Sequence, residues 1–142
     1  ANIPVVISYG NHDHLGGSWT RFELPPNVHV FTEKVERVEL NIRGEQVNVY
    51  GFSYNERHVR ESMITNYPVV ENGTAFHIGM LHGSLAGDET HAVYAPFTKG
   101  ELLQKHMIIG RLVIFIYASN CIRIHQSFIP EIFKDGIGMS EV

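Results

Sequence analysis

The 142-residue sequence is poor in several residue types, and each shortage excludes a class of protein. The single cysteine, Cys121, excludes an internal disulfide framework and is typical of a reducing compartment, so we expect a cytoplasmic protein. Eleven Lys and Arg against fifteen Asp and Glu give a net charge of −4, so the chain lacks the basic face of a protein that grips phosphate backbones alone. The apolar stretch Met107–Ala118 is too short to span a bilayer and contains Arg111, so no membrane partner is expected.

Histidine is the residue type that the chain has in unusual number, with nine in all. Five of them are grouped in sequence with carboxylate and amide side chains: His12, His14, His77, His82 and His91, beside Asn11, Asp13, Asp88 and Glu89. Imidazole combined with carboxylate and amide oxygen favours Mn, Fe or Zn over calcium. For a histidine outside a motif, the alternative of an exposed or hydrogen-bonded structural residue is favoured.

Strand and helix patterns alternate along what can be one domain at most. Strands are predicted at 3–9, 28–31 and 76–81, a hairpin at 35–42 and 46–51, a helix start within 55–63, and a helix at 98–105. Thr98 followed by Glu101 has the spacing of a capping box at the start of the last helix. Interleaved strands and helices of this kind predict an α/β fold with a mixed sheet.

Two of the predicted strands are followed by polar residues suited to a site. Gly10-Asn11-His12-Asp13 comes directly after the first strand, where the glycine would allow a sharp turn, and His82-Gly83-Ser84 follows the strand at 76–81. Open α/β sheets build their sites at the carboxyl ends of strands. Neighbouring strands would therefore bring Asn11 and His82 to one metal ion, with His12 able to move a proton and Asp13 able to orient it.

These blocks resemble a known family. Gly10–Asp13 is similar to the GNH[DE] block of the calcineurin-like metallophosphoesterases, and Gly79–Ser84 resembles their SbcD/YhaO-type DNA-repair exonuclease branch, as do Tyr50–Tyr54 and Tyr94–Phe97. The resemblance covers residues 1–105. It implies that this stretch is the central part of a metallophosphoesterase domain, an αββα sandwich with mixed sheets.

The resemblance also implies a role for individual residues. Asn11 and His82 would bind the second of two divalent metal ions, expected to be Mn, and His12 would be the general acid held in place by Asp13. Two cations polarise a phosphodiester and activate water, while a positioned acid protonates the leaving group. His14 and His91 are further candidates for substrate binding, although exposed histidines without that role are the favoured alternative.

The sequence departs from the family pattern on both sides of these blocks. The Asp-x-His and Gly-Asp-x-x-Asp blocks that hold the first metal in the family are not found in it, nor is the closing Gly-His-x-His. A family-like YDYWALGHIH, read one base later with one choice of codons, gives residues 107–116, and YPGNIQGRHRNE shifted likewise gives 129–140. We therefore expect a frameshift near His106 and an out-of-frame tail over 106–142, which has no reason to agree with the fold.

Three functions fit these observations. The first is a DNA exonuclease of a repair complex, beside the SMC-like ATPase subunit that the family implies. The second is a phosphoesterase acting on a small phosphodiester or a phosphoprotein, with the same chemistry. The third is an inactive remnant or interaction module, because two ligands alone rarely hold a catalytic divalent ion tightly. A homodimer is compatible with each of them.

Overall fold

The computed structural model describes residues 3–17, 23–71, 73–86 and 93–107. Their elements in chain order are β1 (Val5–Ile7), β2 (Val28–Val30), β3 (Glu36–Ile42), β4 (Glu45–Gly51), a 3₁₀ helix (Met63–Asn66), β5 (Phe76–Met80) and α1 (Lys99–Gln104). β1 and β2 pair in parallel, and a second, mixed sheet has the order β3-β4-β5, with β4 antiparallel to β3 and parallel to β5. The predicted α/β fold with a mixed sheet is confirmed.

A two-residue turn sets the register of the β3–β4 hairpin. Ile42 pairs with Glu45, so Arg43 and Gly44 alone form the connection, with φ of 54° and 90°. Positive φ at both positions is the geometry of a type I′ turn, whose twist matches that of the flanking strands. The predicted hairpin is confirmed, with Glu45 already inside β4.

β4 is the central strand of the molecule, and both of its faces are buried. One face carries Val47 and Val49, which pack with fully buried Phe31 and with Val6 of the other sheet. The opposite face carries Tyr50, and Phe52 follows just beyond the end of the strand. Both side chains belong to a second hydrophobic core, to which the two helices contribute Met63, Ile64 and Leu102. The two sheets and the helices therefore form successive layers, consistent with a metallophosphoesterase fold.

Two helix predictions had different outcomes. The helix at 98–105 is confirmed: Thr98 caps α1, its hydroxyl accepts from the Glu101 amide, and the Glu101 carboxylate accepts from the Thr98 amide. The helix start within 55–63 is wrong, since that segment is irregular up to the 3₁₀ helix. Its carbonyls bond to other segments instead, with Asn55 accepting from Gly16 and Val59 from Ala95.

The end of the described chain lies against the helical layer. Met107, at the start of the expected out-of-frame tail, is only 3% exposed and packs into the core beside Leu102. Residues 108–142, which make up the rest of that tail, lie outside the described residues. In the part of the chain that the structure describes, no helix is long and apolar enough to cross a membrane.

Candidate functional site

The two polar blocks predicted to meet do lie together. His82 follows the last residues of β5, and its Nε2 lies 3.1 Å from Oδ1 of Asn11, in the loop after β1. Asn11 is buried, with 8% of its surface exposed, and is one of few polar residues buried among the described ones. An imidazole nitrogen and an amide oxygen, 71 residues apart in sequence, are thus brought to one point.

The segment that follows β4 joins the two sheets at this point. The Ser8 hydroxyl donates to the Phe52 carbonyl at 2.5 Å, and the Tyr9 amide donates to the Ser53 hydroxyl at 3.0 Å. The Tyr54 amide in turn donates to the Tyr9 carbonyl at 2.9 Å. The residues immediately before the Gly10–Asp13 block therefore run alongside the continuation of the central strand.

The electrostatics of the pair favour a neutral imidazole. Burial lowers the pKa of His82 below its ordinary value, the Asp13 carboxylate partly opposes this shift, and the nearby His12 adds to it. A neutral imidazole has a free lone pair on one ring nitrogen and can ligate a metal ion. The environment of His82 therefore favours the neutral form in which an imidazole can bind a metal ion.

Gly10 is needed at the site for space. The sequence suggested that it allows a sharp turn, but its φ is not in the left-handed region. A Cβ at this position would lie 3.2 Å from Nε2 of His82 and 3.3 Å from two of its ring carbons. The absence of a side chain, rather than backbone freedom, lets the imidazole approach Asn11.

His12 and Asp13 lie at the exposed rim of the site. Oδ1 of Asp13 accepts a hydrogen bond from the Gly10 amide at 2.7 Å, which closes the loop on itself. Among the residues that the structure describes, no hydrogen bond joins Asp13 to His12. Asp13 thus acts on the loop that carries His12, and the orienting role expected of it remains a prediction.

The two candidate substrate-binding histidines are placed differently. His14 is half-buried; its Nδ1 has no hydrogen-bond partner among the described residues, and its carbonyl accepts from the Gly17 amide. His91 lies outside the described residues. His58, another of the nine, stacks on Tyr94 with ring centroids 5.8 Å apart.

Tyr54 is the site residue that sequence reasoning missed. Its ring is fully buried, its hydroxyl donates to the His82 carbonyl at 2.9 Å, and its ring meets the imidazole edge-on at 5.3 Å. Burial raises the pKa of this hydroxyl far above its ordinary value, so it remains a donor. Two signals in the sequence point to Tyr54: it follows a strand rich in β-formers, and it ends the Tyr50–Tyr54 stretch that resembles the family branch.

Asn11 and His82 fit as two ligands of a divalent cation. A borderline metal ion accepts an imidazole nitrogen and an amide oxygen, and these two atoms already converge at 3.1 Å. Within residues 3–17, 23–71, 73–86 and 93–107, no group of three or more His, Cys, Asp or Glu could hold a metal ion. The pair would therefore be part of a ligand set rather than a whole one.

A comparison of the sequence with known proteins found one relative. The chain is similar to a metallophosphoesterase. It is 44% identical over 107 residues to the protein named "Uncharacterized metallophosphoesterase YhaO" of Bacillus subtilis (strain 168), a match that takes in 74% of this chain and 26% of that protein. The chain thus spans about a quarter of the length of this curated relative. No family model matches the sequence, and no solved structure matches the chain.

Proposed function

We propose that this chain contributes part of the active site of a metal-dependent phosphodiesterase that acts on DNA ends. The observation that carries the proposal is the 3.1 Å approach of Asn11 Oδ1 to His82 Nε2 where the two sheets meet. The similarity to a metallophosphoesterase supports metal-dependent phosphoester hydrolysis and hence a hydrolase. Two divalent ions, with Mn as the proposed metal, would polarise the phosphodiester and activate water.

The residues of the chain would have distinct tasks in this reaction. Asn11 and His82 would hold one of the metal ions, and burial lowers the pKa of His82, which favours the neutral imidazole that a metal ion requires. His12 is exposed beside them, which leaves it free to give a proton to the leaving alkoxide. Asp13 fastens the loop through the Gly10 amide and so limits where His12 can lie.

DNA as substrate implies help from a partner. The chain has a net charge of −4, so the phosphate backbone gains little from this surface alone. An SMC-like ATPase subunit, the partner implied by the resemblance to repair exonucleases, would supply the missing positive surface. We propose this pairing, in the cytoplasm, as the setting of the intact protein.

One observation favours the second candidate, a phosphoesterase of small phosphodiesters or phosphoproteins. A cleft of about 570 Å³ shares Ser53 and Asn55 with the segment that joins the two sheets. Its lining includes Glu33, Glu56 and Glu61 against a single arginine. The carboxylates of this cleft would repel a polyanion more strongly than a small substrate that carries a single phosphodiester charge.

For the chain as given, we propose weak metal binding without turnover. Asn11 and His82 are the two ligands that the family pattern assigns to it, and two ligands hold a divalent ion poorly. We further propose that 106–142 is an out-of-frame tail and that 1–105 carries the domain's central part. An inactive remnant is therefore the third candidate for this polypeptide itself.

The test compares two substrates and two proteins. This chain and a longer product with the upstream and downstream blocks restored are assayed with Mn²⁺ on linear duplex DNA and on a small aryl phosphodiester. We expect the longer protein to degrade DNA from its ends and to lose that activity with His12→Ala, while this chain turns over neither substrate. Hydrolysis of the aryl ester alone would favour the second candidate, and metal-dependent turnover by this chain would overturn the proposed inactivity.

A further inference from the structure

We propose that Tyr54 is a positioning residue that holds Asn11 and His82 at the distance a shared metal ion requires. The inference deepens the proposed function and rests on the assignment of these two residues as metal ligands. Tyr54 contacts both strand ends that carry the pair. It would thus set the geometry of the site without touching substrate or metal.

The side chain of Tyr54 fixes His82 at two points. The hydroxyl donates to the His82 carbonyl at 2.9 Å, which holds the backbone just beyond β5. The ring meets the imidazole edge-on, with centroids 5.3 Å apart and planes at 80°. Because backbone and ring are both held, the direction in which Nε2 points is determined by Tyr54.

The backbone of Tyr54 fixes the loop that carries Asn11. Its amide donates to the Tyr9 carbonyl at 2.9 Å, one residue before the Gly10–Asp13 block. Its carbonyl accepts from the Leu15 amide at 2.7 Å, two residues after that block. The loop is therefore clamped on both sides by one residue, while its own Asp13–Gly10 bond closes it.

A second tyrosine shows what a purely structural role looks like. Tyr67 is also buried, and its hydroxyl also donates to a main-chain carbonyl, that of Met80 at the end of β5. Met80 lies two residues before His82, so both hydroxyls bond to the main chain of the same stretch. Tyr67 makes no contact with the Gly10–Asp13 loop among the described interactions, and this makes it a matched control.

The experiment compares Tyr54→Phe with Tyr67→Phe in the full chain. Each variant loses one buried phenol hydroxyl and keeps its ring, so both should lose thermal stability to a similar degree. In the metal-free protein, only Tyr54→Phe should shift the NMR signals of the His82 ring and of the Asn11 side-chain amide. With added Mn²⁺, only Tyr54→Phe should weaken the paramagnetic broadening of these signals. The Mn²⁺ concentration needed for equal broadening should rise roughly tenfold, as expected when a residue that orients a metal ligand is changed.

The two readouts separate the inference from the proposed function. If the unmodified chain binds no Mn²⁺ at this pair, the proposed metal site is wrong. The changes in the His82 and Asn11 NMR signals of the metal-free protein still test whether Tyr54 positions these residues. If Tyr54→Phe leaves both signals in place, or if Tyr67→Phe moves them equally, Tyr54 is only a core residue and the inference is overturned.

A second variant covers loss of folding. Should Tyr54→Phe unfold the chain, 3-fluorotyrosine at position 54 keeps the ring and hydroxyl but makes the hydroxyl a stronger donor. We expect it to shift the His82 signals with little change in melting temperature, while the same replacement at position 67 leaves them unchanged. Unchanged His82 signals with fluorine at position 54 would contradict the inference.

Discussion

At the scale of single residues, the site depends on how closely Gly10 lets two side chains approach. A Cβ on Gly10 would crowd the imidazole of His82, since its nearest ring atom would lie 3.2 Å away. Asn11 is next in sequence, and its Oδ1 lies 3.1 Å from Nε2 of the same ring. Gly10 thus contributes to the site because it has no side chain that would push the His82 ring away from Asn11.

Replacing Gly10 by alanine should disturb the pair with little effect on the rest of the fold. The new methyl group pushes the His82 ring by a few tenths of an ångström, since contacts of 3.2 to 3.3 Å are tighter than most in proteins. We expect Mn²⁺ to bind about tenfold more weakly, as for other losses of support around a metal ligand. Isothermal titration and the NMR signals of His82 would measure this.

Gly73→Ala is the control for that variant. A Cβ at Gly73 meets nothing within 4 Å, and its φ lies outside the left-handed region. We expect unchanged Mn²⁺ binding and a change in unfolding free energy within about 0.5 kcal/mol, as for surface substitutions in general. Equal losses of metal binding in both glycine variants would show that the contact with His82 is unimportant.

His77 gives a pH-dependent prediction at the same scale. Burial first, and the charge of Arg37 second, lower the pKa of His77 below its ordinary 6.5, and its Nδ1 bonds to the Tyr50 hydroxyl at 3.1 Å. A folded state with the lower pKa binds fewer protons than the unfolded chain, so stability falls as the pH drops through the ordinary value. Arg37→Gln should raise the pKa of His77 in an NMR titration, whereas Arg43→Gln in the distant turn should not. A pKa that stays put or falls with Arg37→Gln would contradict this.

At the scale of elements, β4 and its continuation organise the molecule. The strand separates the two cores, and the residues that follow it bond to the end of β1. The β3–β4 hairpin places that strand, and its type I′ turn sets the register. A shift of the β3–β4 register by one residue would move each side chain of β4 to the opposite face. The turn therefore affects the position of the site residues as well as the pairing of the hairpin.

The hairpin turn can be tested from both of its residues. Gly44 has φ of 90°, and a side chain there meets no neighbour within 4 Å, so Gly44→Ala probes backbone conformation alone. We expect a loss of about 1–2 kcal/mol in unfolding free energy by urea denaturation. Arg43 has φ of 54°, which asparagine tolerates better, so Arg43→Asn should be neutral or slightly stabilising. Destabilisation by Arg43→Asn together with tolerance of Gly44→Ala would rule out the I′ turn.

Local signals predicted the elements whose form is set by their own residues. The hairpin and the capping box at Thr98 belong to this group, because turn residues and caps act within four positions. The segment at 55–63 was mispredicted because hydrogen bonds to residues far away in sequence determine its path. The proximity of Asn11 and His82 could be predicted because each residue follows the end of a strand. The role proposed for Tyr54 could not, because it depends on hydrogen bonds to three residues far away in sequence.

At the scale of the whole molecule, two sheets and a helical layer bring two polar strand-end blocks together. Asn11 and His82 converge, and the described residues include no group of three or more His, Cys, Asp or Glu that could hold a metal ion. The chain spans about a quarter of the length of its Bacillus relative. We therefore keep as a proposal that this chain supplies one side of a hydrolytic site.

The origin of the tail is testable on the gene. If 106–142 is read out of frame, the nucleotides after the His106 codon should encode Gly-His-x-His in another frame. Sequencing that region independently, and translating all frames, checks the expectation. The hypothesis of a frameshift fails if none of them contains this block.

The most direct test of the metal site is a titration of the metal-free chain with Mn²⁺, followed by NMR of its histidine rings. The proposed site predicts that the His82 signals broaden first, together with the Asn11 side-chain amide. His77, near the start of β5 and five residues before His82, is about 16 Å away at the usual rise of an extended chain and should broaden later. In His82→Ala, the early broadening of Asn11 should disappear. Broadening that affects His77 and His82 alike, or that persists at Asn11 in His82→Ala, would contradict a metal site built on this pair.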